Sequence, residues 1–429
     1  MKVLMFGWEF PPHITGGLGT ACYGLTKSLT KQGVEVIFVV PKLFGEEDQS
    51  FMRIVGAEDI PVEVTDKRIK KIFDKLTYIE VSSSLVPYLS PEEYKKFLEE
   101  YKLKDVEVSE NIFSTKFKFS GKYGPNIFEE VARYAIIAGV LAQQNDFDII
   151  HAHDWLTYPA GIAAKRVSGK KLVVHVHATE FDRSGENINR EVYNIEKQGM
   201  EEADLVITVS NYTRNIVITK YGINPDKVFT VHNGVEPIAN IEHFKVKKNL
   251  PYKIVTFLGR ITFQKGPDYF VEAAYKVLQK SEDVHFVMAG SGDMLNRIVK
   301  RVAELRMGDK FHFTGFLKGN EVYKMYAMSD VYVMPSVSEP FGIAPLEAMQ
   351  TDVPVIISKQ SGVSEVLNHA IKIDFWDVDA MADSIYALLH YDGIRKLFKK
   401  YGKQEVINLR WDNAAYLVKV LYQKLLGQR

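Results

Sequence analysis

Cysteine is nearly missing: Cys22 is the single one in a chain of 429 residues. Neither an intrachain disulfide nor a cysteine-based zinc cluster can form from it, and a reducing cytoplasm is the expected setting. Cys22 itself reads as a small buried apolar residue. An excess of one charge is missing too. Lys plus Arg is 54 and Asp plus Glu is 54, so no overall field draws nucleic acid or an anionic membrane, and an anionic ligand must be held by a local site. No run approaches the roughly 18 apolar residues of a membrane span. The apolar stretch 3–6 ends at Gly7, Trp8 and Glu9, too short for the apolar region of a signal peptide. A soluble, cytoplasmic chain is expected. What remains is ordinary globular material, 46% hydrophobic and 25% charged, about three times as long as the ~150-residue prior for one domain.

The first half offers strand-like runs at 2–8, 34–41, 148–153, 172–178, 205–210 and 228–233. They are β-branched and apolar on both faces, as in VEVIFVV and LVVHV, which marks parallel strands covered on both sides by helices. Helical patterns at 21–31, 127–144, 158–167, 189–202 and 211–221 fill the gaps in a βαβ rhythm. The second half repeats it, with strands expected at 253–260, 284–290, 310–316, 331–335, 353–358 and 371–375 and helices at 268–280, 294–306, 321–329 and 345–350. Two Rossmann-like domains are expected, 1–240 and 250–404, with a polar break at 236–251. Residues 43–122 break the rhythm and read as an insertion on the first domain, with an amphipathic solvated helix at 91–101. An amphipathic C-terminal helix within 405–429 could pack on either domain.

Ligands of open α/β sheets collect beyond the carboxyl ends of the strands. Four such places carry chemistry. Gly16, Gly17, Leu18 and Gly19 lead into the first helix, where glycine lets backbone amides approach a phosphate. Arg260 and Lys265 share the loop after the second half's first strand, a planar fork and a compact charge suited to a diphosphate. The run SEPFGIAPLE puts Glu339 in an approach loop and Glu347 in the first turn of a helix opened by Pro345. Finally, HAHDW and HVHATE carry the pairs His151/His153 and His175/His177. Residues two apart on a strand share a face, so each pair can project together. One histidine at a strand end suits a sugar ligand, and His151 and His175 read as satisfied core imidazoles. A metal-dependent hydrolase built on the two pairs is the reading from a different class.

Taken in order, GGLG, HAHDW, GRITFQKG, AGSGD, SEPFGIAPLEAM and SGVSEV resemble the retaining GT-B glycosyltransferases, specifically the glycogen synthase-like branch of glycosyltransferase family 4. The resemblance implies an α/β GT-B fold, two Rossmann-like domains facing each other across a central cleft. It implies that Arg260 and Lys265 bind the donor diphosphate and stabilise the leaving nucleoside diphosphate, and that Gly17 approaches it. By the same resemblance Glu339 and His153 stand at the donor sugar, Phe341, Gly342 and Ile343 pass over its hydroxyls, and Glu347 binds the ribose. Gly290 and Gly292 would line the nucleotide side, with Phe316 and Leu317 flanking the base. Such enzymes are similar in needing no metal or other cofactor, the nucleotide-sugar being a substrate. The implied reaction moves glucose from UDP-glucose or ADP-glucose to an α-glucan. Ile14 replaces a lysine common in enzymes that use ADP-glucose, which leaves the base open, as are the acceptor and the oligomeric state. A retaining glycosidase, with two carboxyls about 5 Å apart, would give Arg260 and Lys265 no task.

Overall fold

The computed structural model describes residues 1–12, 16–60, 62–63, 113–115, 119–120, 126–238, 244 and 250–427. In chain order the first half runs β1 (Lys2–Phe6), α1 (Gly17–Lys31), β2 (Glu35–Val40), β3 (Arg53–Gly56), β4 (Val62–Glu63), β5 (Phe113–Thr115), α2 (Ile127–Gln144), β6 (Ile149–His153), α3 (Tyr158–Ser168), β7 (Lys171–Val176), α4 (Glu180–Ser184), α5 (Arg190–Glu202), β8 (Leu205–Thr208), α6 (Asn211–Tyr221) and β9 (Val228–Thr230). The second half runs β10 (Lys253–Leu258), α7 (Pro267–Leu278), β11 (Val284–Ala289), α8 (Leu295–Glu304), β12 (Phe311–Gly315), α9 (Asn320–Met328), β13 (Val331–Met334), α10 (Ala344–Gln350), β14 (Val355–Ser358), β15 (Ile371–Ile373), α11 (Val378–His390), α12 (Asp392–Val406) and α13 (Trp411–Leu425).

Two parallel sheets result, seven strands in the order β3-β2-β1-β6-β7-β8-β9 and six in the order β12-β11-β10-β13-β14-β15. The continuous apolar runs are explained by their register. Along β1, Leu4 and Phe6 enter one core while Val3 and Met5 enter another on the opposite face. Helices cover both faces, so neither set is wetted. In β6 and β7 the same alternation sends Ile150, Ala152, Leu172 and Val174 to the first core and leaves the histidines on the other face with Ile149 and Val173.

The reading of 43–122 as one insertion needs correction. Arg53–Gly56 is an edge strand of the main sheet, pairing in parallel with β2 from Ile37↔Arg53 to Val40↔Gly56. Four residues give too few alternations to reveal it. The helix expected at 91–101 and Ile14 lie outside the described residues, as does most of the break at 236–251. Helix α4 and the second half's α11 and α12 add to the helices expected from the sequence. Helix α13 returns to the first half: Trp411, Ala414, Val418 and Tyr422 share a core with Leu25 and Leu29 of α1. A Cβ on Gly24 would stand 2.3 Å from the Trp411 indole, so glycine there is what lets the two helices approach.

Candidate active site

Each sheet reverses its strand order once, between β1 and β6 in the first half and between β10 and β13 in the second. Such a reversal opens a crevice at the carboxyl ends of the two strands, because their connections leave in opposite directions. All four places singled out from the sequence stand at these two crevices or at the strand ends beside them.

At the second crevice the loop after β10 lies against the loop after β13. The Val337 amide donates to the Gln264 carbonyl at 2.9 Å. Arg260 donates to the Gln264 side chain at 3.2 Å. Lys265 forms an ion pair with Glu339, and Ser336 donates to the same carboxylate oxygen at 3.2 Å. Glu339 is buried and Lys265 half-buried. The backbone of Glu339 is fixed as well, its amide donating to Gln360 and its carbonyl accepting from Gly362, both at 2.9 Å. Glu347 sits in the first turn of α10, where burial pushes its carboxyl up to about 7, with the Tyr326 hydroxyl nearby partly offsetting the shift. The helix starts at Ala344, one residue before the expected Pro345.

Gly290 and Gly292 are required by close approach rather than by flexibility in general. A Cβ on Gly290, whose φ is +144°, would lie 1.9 Å from the Gly259 carbonyl oxygen, and one on Gly292 would lie 2.2 Å from that of Ile261. The loops after β10 and β11 therefore touch backbone to backbone, with Ile261 donating to Ser291 at 2.8 Å. The Gly290 amide continues the contact to the Gly315 carbonyl at the end of β12 at 2.8 Å. Phe316 follows, 52% exposed, with Leu317 half-buried beside it. Phe341 is buried, Gly342 has a φ of +100° that favours glycine, and Ile343 caps α10. At the first crevice Gly17 opens α1, and a Cβ added there would meet nothing within 4 Å.

The histidines form one compact four-ring cluster rather than two separate pairs. His151 stacks on His153 at 4.4 Å and His175 on His177 at 4.4 Å, and across the two strands His153 lies 5.3 Å from His175 and 5.1 Å from His177, with His151 5.4 Å from His175. Strand register accounts for this, since His153 pairs with His175 across β6 and β7. His151 Nδ1 contacts the Tyr422 hydroxyl of α13, and His153 Nδ1 lies 2.9 Å from His177 Nε2. The core placement of His151 and His175 agrees with the sequence reading, but their description as satisfied does not. His151 Nε2 and both nitrogens of His175 are buried with no hydrogen-bond partner, as is His153 Nε2. Burial, and then the neighbouring imidazoles, hold His151, His153 and His175 well below the ordinary histidine value. Burial brings His177 down to about 3. The cluster is therefore neutral at physiological pH.

Several residues were not assigned a role from sequence. Asp154 takes a left-handed φ of 60° and accepts from the amides of His177 at 2.7 Å and Ala178 at 3.3 Å. Burial raises its carboxyl to about 7 against the opposing pull of Arg183 and those amides. Across the cleft, Ser338 donates to Asp182 at 2.5 Å and lies 3.0 Å from the Tyr212 hydroxyl. The loop carrying Glu339 is thus tied to the first half. Asp154 was visible in HAHDW, whereas no local pattern marks Asp182 or Tyr212, whose meaning depends on the facing domain.

Two facing α/β units with a cleft of this kind define the GT-B class of glycosyltransferases. Residues 2–231, more than half of the chain, match the starch synthase catalytic domain family, and residues 239–405 match glycosyl transferases group 1. The chain belongs to the starch synthase catalytic domain family. It is similar to an uncharacterised glycosyltransferase of Methanocaldococcus jannaschii, 28% identical over 97% of this chain and 96% of that one. It is also similar to a glycogen synthase of Mycobacterium tuberculosis, 22% identical over 86% of this chain and 80% of the relative. In fold it resembles a sucrose-phosphate synthase from Thermosynechococcus elongatus, with a TM-score of 0.72, 18% identity and 99% of each chain covered. Among the described residues no helix is long and apolar enough to cross a membrane.

Proposed function

We propose that the chain is a retaining family 4 hexosyltransferase that moves glucose from UDP-glucose or ADP-glucose to an α-glucan. The observation that carries this reading is the Lys265–Glu339 ion pair, which joins the loops on either side of the second crevice. Without donor the ammonium rests on the carboxylate. A diphosphate entering beside Arg260 competes for Lys265 and frees Glu339 to accept from sugar hydroxyls. As the acceptor hydroxyl attacks C1 from the face of the leaving group, the C1–O bond to the diphosphate breaks and its electrons pass to the diphosphate oxygen. That oxygen takes the hydroxyl proton, while Arg260 and Lys265 stabilise the accumulating negative charge. His153 stands at the sugar as a neutral imidazole, and Glu347, Phe316 and Leu317 hold the ribose and base. No metal or other cofactor has a part in this scheme.

The starch synthase match and the glycogen synthase relative support the glucan acceptor. The test is a screen of ADP-, UDP- and GDP-sugars against glycogen and short maltooligosaccharides, reading released nucleoside diphosphate and the anomeric configuration of the product. A glucosyl donor and an α-linked product are expected. Failure of every glucosyl donor overturns the glucan assignment, and a β-linked product overturns retention.

A further inference from the structure

We propose that Cys22, His153 and His177 form a binding site for a thiophilic divalent cation such as zinc, and that its occupation silences transfer. Only the silencing rests on the functional reading above, through the place of His153 at the sugar.

Three elements converge to make the site: α1 supplies Cys22, the end of β6 supplies His153, and the residue after β7 is His177. A single cysteine excludes a cysteine-only cluster, not a mixed one. One ligand atom from each residue lies within 4.8 Å of the others, and the two imidazoles already approach to 2.9 Å. Tetrahedral zinc, with Zn–S near 2.3 Å and Zn–N near 2.0–2.1 Å, needs ligand atoms roughly 3.5 Å apart, so side-chain movements of about 1 Å suffice. Cys22 and His153 are fully buried; His177 is partly exposed, so an ion arrives past it.

The ring tautomer and the ring planes bear on which residues can hold the ion. His153 Nε2 is buried without a partner, so the ring can move its proton there and present Nδ1 to the ion. The neighbouring set His151, His153 and His175 also lies within 4.8 Å, but His151 and His153 stack with planes only 16° apart. Their in-plane lone pairs cannot converge on one ion, whereas the His153 and His177 rings are tilted by 35°.

The probe is cadmium titrated into the full chain, read by ultraviolet thiolate-to-cadmium charge-transfer absorption. One equivalent is expected to raise the band, zinc to displace it, and Cys22→Ser to abolish it with the circular dichroism, thermal midpoint and basal transfer retained. His177→Asn gives a second variant should Cys22→Ser fold poorly, and it too should lose the band. Zinc should inhibit the parent chain at concentrations at least about tenfold lower than it does Cys22→Ser. No band in the parent chain, or a band surviving in both variants, overturns the site. Equal zinc inhibition of parent and Cys22→Ser overturns the silencing. A chain that shows the band yet transfers no sugar faults the functional reading and leaves the site standing.

Discussion

Both sheets reverse their strand order after three strands, yet the two crevices so created are furnished in opposite ways. Beside the first stands a cluster of four imidazoles kept neutral by burial. At the second, an ion pair joins the two loops and a guanidinium stands near it. The same topology places a site, while solvent access and neighbouring charge decide its electrostatic character. Neutral groups suit the hydroxyls of a sugar or acceptor, and the cationic loop suits a diphosphate. The glycines differ in the same sense: Gly290 and Gly292 are wedged against backbone oxygens, whereas Gly17 faces open space.

The largest effect should come from breaking the structural link between the halves. Trp411→Ala removes a buried indole from the α1–α13 contact and should cost about 3–5 kcal/mol, read by denaturant unfolding. Next, Lys265→Ala and Glu339→Ala should each lower turnover by at least ~100-fold with the fold retained. Near-normal turnover in both would dissolve the proposed division between a cationic and a neutral crevice. Gly290→Ala should destabilise the second half by about 1–3 kcal/mol through its strained φ alone. Its clash with Gly259 adds to this, whereas Gly17→Ala should keep the parent thermal midpoint and change only donor affinity.

The smallest effect sharpens the electrostatic contrast. Asp154 and Glu347 have ordinary values of 3.8 and 4.5 and are raised to about 7 in the fold. Between those limits the folded chain holds protons that the unfolded chain has lost, so their contribution makes stability fall as pH rises. Asp154→Asn and Glu347→Gln should each flatten the decline of the thermal midpoint between about pH 4 and pH 7. An unchanged slope in both would remove these carboxyls as its source.

Legibility followed physical range. Near-continuous apolar runs identified most strands because burial on both faces is a local compositional demand. Arg53–Gly56 escaped because it is short and at an edge, and it is recognisable only by its partner β2. Arg260, Lys265 and Glu339 could be picked out because ligands of open α/β sheets collect just beyond the strand ends, where these residues stand. Asp182 could not, since its bond to Ser338 spans 156 positions.

The sequence alone determined two parallel α/β units and the strand ends that carry their polar groups, because backbone periodicity and side-chain type act over a few residues. Only the tertiary structure decided that Lys265 rests on Glu339, that two histidine pairs merge into one neutral cluster, and that Cys22 comes within reach of His153 and His177. Those outcomes depend on register, burial and distances between segments far apart in the chain, which no local pattern encodes.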